Sequence, residues 1–326
     1  MPDALSHTFY GVLGTSKFRY FNPLLFFKLR KLIKQNKITD LIIVHPYYGW
    51  LAWLLKKSTG VKLSLLSHNI EAVRFKSMGK WWWKILWFYE KNIHKIIDHN
   101  FFVTQEDLDF AVNNYRLDIA KCDVITYGID WEESPSRQEK EDAASLLKQQ
   151  YNIKEEEKIL LFNGTLDYKP NIEAIEYITK EINPLLLKNK NYHYKIIVCG
   201  KGLPNAYNQL KDYDNIIFAG FVDDINIFFK GADVFLNPVI TGGGIKTKLV
   251  EALGNNLTCI SCTSGAYGVP IEFVGNKLSV VNNFDWLSFA DAIFAADVQA
   301  NIPASFFNHF YWANIAAKAG RIISGN

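Results

Sequence analysis

Cysteine is scarce in this chain: four residues in 326, at Cys122, Cys199, Cys259 and Cys262. So sparse a set makes no disulfide framework and suits a reducing compartment. Cys259 and Cys262 form a lone C-x-x-C with no second pair and no nearby histidine. That spacing reads as part of a buried strand, not a zinc site. Charge of one sign is lacking too. Lys and Arg number 36 against 33 Asp and Glu, a net +3, which is too mild for nucleic-acid binding. No apolar run approaches the ~20 residues needed to cross a bilayer. The start, MPDALSHTFYGVLG, has neither the charged head nor the apolar centre of a secretory leader. The expectation is a soluble or peripheral protein. Walker A and an early G-x-G-x-x-G are also missing, so P-loop and dinucleotide-binding readings lose support. No D-x-D-like triad stands out for a metal, and Asp223–Asp224 reads as a helix start.

What is present is a globular composition, 49% hydrophobic and 21% charged, in a length that suits about two domains. Apolar runs alternate with helical patterns. DLIIVH (40–45), VKLSLLSHN (61–69), HNFFVT (99–104) and CDVITYGID (122–130) read as strands. GWLAWLLKKS and a long stretch over about 80–97 read as helices. WEESPSRQEKED (131–142) breaks the pattern and is the linker candidate. A second set follows: strands KILLFNG (158–164), YKIIVCG (194–200), NIIFAG (215–220), ADVFLNP (232–238) and NLTCISC (256–262). Helices fall at PNIEAIEYITKEI, at IKTKLVEALG and over about 305–324. Such alternation predicts βαβ units and parallel sheets, in an α/β protein of two doubly wound, Rossmann-like domains. The N-terminal domain is expected over 1–130 and the other over 131–304, with the last helix, 305–326, packing back on the first. In sheets of this kind ligands bind beyond the carboxyl ends of the strands.

TGGGIKTKLVEALG (241–254) is the most informative such end. A helix N-terminus presents unpaired N–H groups and partial positive charge, and glycines let a phosphate approach the backbone. Gly242, Gly243 and Gly244 therefore suggest an anion cradle, to which Lys246 and Lys248 add charge. Glu251, further along the helix, can accept hydrogen bonds from the two hydroxyls of a ribose. Phosphate plus ribose means a nucleotide. Against this stands a plain glycine loop with a weak Lys248–Glu251 surface pair.

Four blocks carry a wider likeness: LLFNGTLDYKPNIEAIEYI, KIIVCGKG, NIIFAGFVDDINIFFKGADVFLNP and TGGGIKTKLVEALGNNLTCISCTSGAYGV. Their order and spacing resemble the glycogen-phosphorylase-like donor domain of the family-4 glycosyltransferases, which have the GT-B fold. SHNIEAVRFKSMG (67–79) and VITYGID (124–130) add the acceptor-side strand end and the entry to the second domain. The resemblance covers about residues 40–325. It implies two domains with a cleft between them, a nucleoside-diphosphate-sugar donor and transfer with retention, without a required metal or other cofactor. It implies a glycan or lipid-linked acceptor of the cell envelope, and no nucleic acid. Glu251 matches the family's ribose-holding glutamate, and Gly243 falls where a second glutamate usually stands, eight residues earlier. Gly164 matches, Thr165 falls at an arginine position, and Lys169 lies one residue from a lysine position near the diphosphate. Val222 falls where the chain passes the base, and Gly244 joins the backbone cradle. His68 falls on the histidine that lies against the donor sugar. With Lys246 and Lys248 as stabilisers of the leaving diphosphate, these make the catalytic set. Residues 1–39 offer no convincing first strand and glycine-rich loop, so the N-terminal domain is expected to lack them. The departures at Gly243 and Thr165 keep open a non-catalytic GT-B protein that binds a nucleotide or a partner. A sugar-nucleotide epimerase stays a third option, without carboxylates to assign.

GKWWWKILWFYEKNIHKII (79–97) crowds aromatics onto a helix whose core face is expected to hold Trp82, Ile85, Leu86, Tyr89, Ile93 and Ile97. Trp81, Trp83 and Trp87 spread beyond that face, among Lys80, Lys84, Lys91 and Lys95. Tryptophan with lysine suits the surface of an anionic membrane, and KFRYFNPLLFFKLRKLIK (17–34) repeats the chemistry. The expected place is the cytoplasm, on the inner face of the membrane. The plainer reading is a core helix with a protein partner.

Overall fold

The computed structural model describes residues 23–204 and 213–324. They form two compact units that divide between Val124 and Ile125, ahead of the polar stretch expected as a linker.

In the first unit β1 (Asp40–Val44), β2 (Lys62–Ser67), β3 (His99–Phe102) and β4 (Cys122–Val124) form a parallel sheet in the order β1-β2-β3-β4. Leu51 and Leu55 of the helix Gly49–Thr59, Leu63 and Leu65 of β2, and Ile93 and Ile97 of the aromatic segment form one core. Ile70, Phe102, Leu108 and Tyr115 form another. Among the described residues β1 is an edge strand, and Ile42 and Val44 are 50% and 51% exposed. The expected gap at the start of this domain falls partly on residues 1–22, outside the described residues. Residues Pro23–Gln35 form a helix, and no strand precedes Asp40 among the described residues.

The aromatic helix runs Trp83–Ile96, and its buried stripe is Leu86, Glu90, Ile93 and His94. Ile85, expected in the core, is 65% exposed. Two polar residues take buried places because the start of the helix Glu71–Ser77, Tyr115 and Asn100 supply partners. Glu90 accepts from the backbone N–H groups of Glu71 (2.9 Å) and Ala72 (3.0 Å) and from the Tyr115 hydroxyl (2.9 Å). Burial still pushes its pKa up to about 7. His94 lies 2.8 Å from Asn100 and stacks on Phe102, and burial pulls its pKa down to about 4.

The second unit holds a six-stranded parallel sheet: β5 (Lys158–Asn163), β6 (Tyr194–Cys199), β7 (Ile216–Gly220), β8 (Val234–Asn237), β9 (Thr258–Cys262) and β10 (Leu278–Val281). Their order is β10-β9-β8-β5-β6-β7. The continuous apolar runs follow from burial of both faces. Ile159 and Leu161 enter one core while Leu160 and Phe162, alternating with them, enter the other. Cys259 and Cys262 go to opposite cores, so their thiols lie on opposite faces of the sheet and cannot share a ligand. All four cysteines are buried and free.

One expectation about chain organisation changes. Residues 131–142 are not all linker, because a helix begins at Arg137. Ser136 and Glu139 form a capping box there, a signal present in the sequence as S-R-Q-E. The terminal helices are Ala304–Phe310 and Trp312–Ser324, and they group with the second unit through Ile322 and with the first from Ile323. Phe306, Phe307 and Phe310 fill the second unit's core, and Ile129 bridges Tyr311 like a short extra strand. β10 and the helix Trp286–Phe294 were not anticipated.

Candidate functional site

The strand order of the second unit reverses between β5 and β8, which pair centrally. Connections leave those two strands in opposite directions, so a crevice opens beyond their carboxyl ends. A cavity of about 370 Å³ lies there, lined by residues 163–165 after β5, 241–243 after β8, and Lys246, Lys248 and Glu251. Gly164 and Thr165 also line a second cavity of about 370 Å³ with Gly200, Lys201, Phe221 and Val222. Gly243, Gly164, Thr165, Lys246, Lys248 and Glu251 line the first cavity, and Val222 lines the second.

The glycine loop needs glycine: Gly242 and Gly244 have φ of 96° and 67°, a region that side chains disfavour. The helix runs Thr247–Gly254, two residues later than expected, with Lys246 as its N-cap and no side-chain cap. Lys246 Nζ donates to the Gly244 carbonyl at 2.8 Å, which pins its ammonium at the loop. Gly244 is buried and serves the site through that carbonyl, not as a lining residue.

Lys248 has a different place from the one expected. Its Nζ donates to the Asn163 carbonyl and to Asn171 Oδ1, both at 2.9 Å, and lies 4.3 Å from the centre of the Phe162 ring. Its chain lines the cavity while its ammonium is withdrawn from water. Burial, helped by Lys246, pushes its pKa down to about 7. It ties the β5 loop to the glycine-loop helix. Asn171 completes the tie by donating to the Thr165 carbonyl at 2.9 Å. A Cβ on Gly164 would come within 2.6 Å of the Asn171 amide, so glycine there makes room for the tie. Lys169 does not line the cavity. Its side chain is 66% exposed, with Nζ 3.5 Å from Glu173, while its neighbours Tyr168 and Pro170 do line it.

Glu251 faces the cavity, and its Oε1 accepts from the Tyr127 hydroxyl at 2.7 Å. Tyr127 packs edge-on against Trp312, with ring centres 5.8 Å apart. Burial and the carboxylate keep the phenol protonated by raising its pKa. Sequence reasoning missed Tyr127, Asn163, Asn171 and Thr241. Asn163 could have been found as the polar residue ending an apolar strand; Tyr127 carries no such signal. Asp224 is indeed a helix N-cap, accepting from the Asn226 N–H at 2.9 Å.

In the first unit His68 follows β2, with its ring 4.7 Å from that of His45. Packing lowers its pKa, partly opposed by Glu71. Trp81 is 83% exposed. Trp83 is half-buried, with Lys76 4.9 Å from its ring centre. Trp87 faces inward instead, edge-on to Tyr115 at 5.5 Å, because its position on the helix adjoins the second core. Phe88, 63% exposed, takes the outward place.

A parallel sheet with a reversal of strand order, a glycine loop and a cavity-facing carboxylate at that point defines a doubly wound α/β protein with a candidate ligand site beyond its strand ends. Residues 157–296 match the family described as Glycosyl transferases group 1, and residues 5–133 match Glycosyltransferase Family 4. The chain belongs to the family-4 glycosyltransferases, with the GT-B fold. It is 25% identical over 279 residues to a Klebsiella pneumoniae protein described as an uncharacterized 44.6 kDa protein in the cps region, covering 77% of this chain and 64% of that one. The chain thus spans less than two thirds of that relative's length. It is 25% identical over 282 residues to the Escherichia coli O-antigen biosynthesis glycosyltransferase WbnH, covering 85% of this chain and 73% of that one. Anabaena Alr3699/HepE, solved with UDP and glucose, shares the fold at a TM-score of 0.69 with 14% identity, over 95% of this chain and 83% of that one.

Proposed function

We propose that this protein transfers a sugar from a nucleoside-diphosphate sugar to a glycan or lipid-linked acceptor of the cell envelope, with retention of configuration. The observation that carries this is the cavity at the switch point, where the glycine loop, the helix start at Lys246 and Glu251 converge. The diphosphate would lie on the free N–H groups of the first helical turn, with Lys246 beside it, so charge that develops on the leaving group meets donors already in place. Glu251, held by Tyr127, would accept from the ribose hydroxyls. The second cavity, at Val222 and Lys201, would take the base. The backbone and Lys246 supply the positive partner, so the reading requires no resident metal. The relation to WbnH favours an O-antigen type of acceptor, and the UDP and glucose of the HepE structure favour a uridine-linked donor.

Trp81, Trp83, Ile85 and Phe88, among Lys76, Lys80 and Lys84, would meet an anionic membrane, and the enzyme would then work on its cytoplasmic face. No described helix is long and apolar enough to cross a membrane. Gly243, which brings no carboxylate, and the withdrawn Lys248 favour a second reading, a nucleotide binder without activity. The test is a panel of nucleotide sugars, read first by thermal shift and then by release of nucleoside diphosphate. A ligand at 100 times its Kd adds about 2.7 kcal/mol of stability. A stabilising sugar nucleotide that is never cleaved supports the binder. The absence of any stabilising sugar nucleotide refutes both readings.

A further inference from the structure

The first unit holds a second histidine, His45, beside the one the sequence favoured. His45 follows β1 with φ 62° and ψ 156°, a region occupied almost only by glycine, and such strain gathers at functional sites. Its backbone is held there: the N–H donates to the Leu66 carbonyl of β2 at 2.9 Å, and Pro46 follows. Its Nδ1 is buried without a hydrogen bond, 3.4 Å from Glu71 Oε1. Glu71 is itself buried. Its Oε2 is taken by the Tyr47 hydroxyl at 2.5 Å and by Arg74 Nη2 at 2.5 Å. Its backbone N–H is fixed by Glu90 at 2.9 Å. Oε1 is left facing the imidazole. The His68 ring flanks His45, and in the same turn Asn69 Oδ1 is buried without a partner.

A carboxylate on one ring nitrogen sets the tautomer and leaves the other nitrogen to the ligand. We propose that His45 binds the acceptor: with Nδ1–H turned to Glu71, Nε2 accepts a hydrogen bond from a hydroxyl of an uncharged sugar, beside His68 at the carboxyl ends of β1 and β2. This rests on the glycosyltransferase reading. The charge around His45 selects the ligand class. Arg74 is neutralised by Glu71, the Tyr47 proton is committed to the same carboxylate, and burial keeps both imidazoles below their usual pKa. The cluster offers acceptors and no spare cation, which suits hydroxyl donors and not a phosphate.

The test uses the full chain with 13C-labelled histidine, whose seven ring signals are assigned by single substitutions. The probes are the octyl glycosides of glucose, galactose and N-acetylglucosamine, with octyl phosphate as the charged comparison. At least one glycoside should shift the His45 and His68 signals saturably, and octyl phosphate should not. His45→Gln should weaken that binding at least tenfold. His45→Gly should abolish it and yet raise Tm by roughly 2–4 °C, because glycine relieves the backbone; a merely structural histidine would lower Tm. Shifts by octyl phosphate alone, no shift by any glycoside, or a destabilised His45→Gly that still binds would overturn the proposal. Cleavage of a sugar nucleotide by His45→Gln reports on the second unit separately. If wild type cleaves none, the glycosyltransferase reading fails while the His45 signals still decide this one.

Discussion

Lys248→Met removes a buried ammonium from under the switch-point cavity, and its effect should depend on pH with a definite sign. The folded pKa is pushed down to about 7 from an ordinary 10.5. Below about 7 both folded and unfolded chains hold the proton, and the cost of burying the charge is fully felt. Between about 7 and 10.5 only the unfolded chain stays protonated, so wild-type stability rises with pH, by at most about 1.36 kcal/mol per unit. Met keeps the packing on Phe162 but has no proton to lose. It leaves the Asn163 carbonyl and Asn171 Oδ1 without their donor, a loss of about 1–3 kcal/mol for each unpaired group. Relief of the buried charge offsets that loss at pH 6 and not at pH 9. The variant's deficit should therefore widen by up to about 2.7 kcal/mol between pH 7 and 9, two units at that slope. Lys277, pushed down to about 8, and Lys140 act with the same sign in both proteins, so the difference between the proteins isolates Lys248. Urea titrations at pH 6, 7, 8 and 9 measure it. Parallel stability curves for the two proteins would refute the account.

Glu251→Ala should weaken uridine and UDP alike, by about 1–3 kcal/mol, while Tyr127→Phe, which loses one donor to Oε1, should weaken both by less; calorimetric titration that finds no change for Glu251→Ala removes the ribose assignment. Lys246→Ala should cost UDP binding more than uridine binding, because its charge sits at the glycine loop; equal losses would misplace the diphosphate. The pair Trp81→Ser and Phe88→Ser should lower flotation with anionic liposomes, and Trp87→Ser should instead lower Tm, since its ring packs on Tyr115. A wild-type dimer that stays off liposomes would remove the membrane claim and point to a protein partner.

The two parallel sheets, the helices around them and the placing of polar clusters at strand ends were legible in the sequence, because each follows from local periodicity. A run such as ILLF, apolar at every position, can only sit in a sheet covered on both faces, and a polar residue that ends it must lie at the rim. Gly242, Gly244 and Glu251 could be read for the same reason: backbone freedom and helix spacing are properties of neighbours in the chain. Partnership is not. Lys248 looked like a free cation in the first turn of a helix, and it became a tie only because β5 and β8 pair side by side and bring Asn163 and Asn171 beneath it. Glu251 meets Tyr127 across 124 residues, at a segment that the terminal helix holds in place through Trp312. Glu90 and His94 entered the core against the polarity pattern because the helix start at Glu71, Tyr115 and Asn100 supplied their hydrogen bonds. His45 read as the last residue of an apolar strand; its left-handed backbone and its carboxylate exist only once β1 lies against β2 and Glu71 is buried beside them.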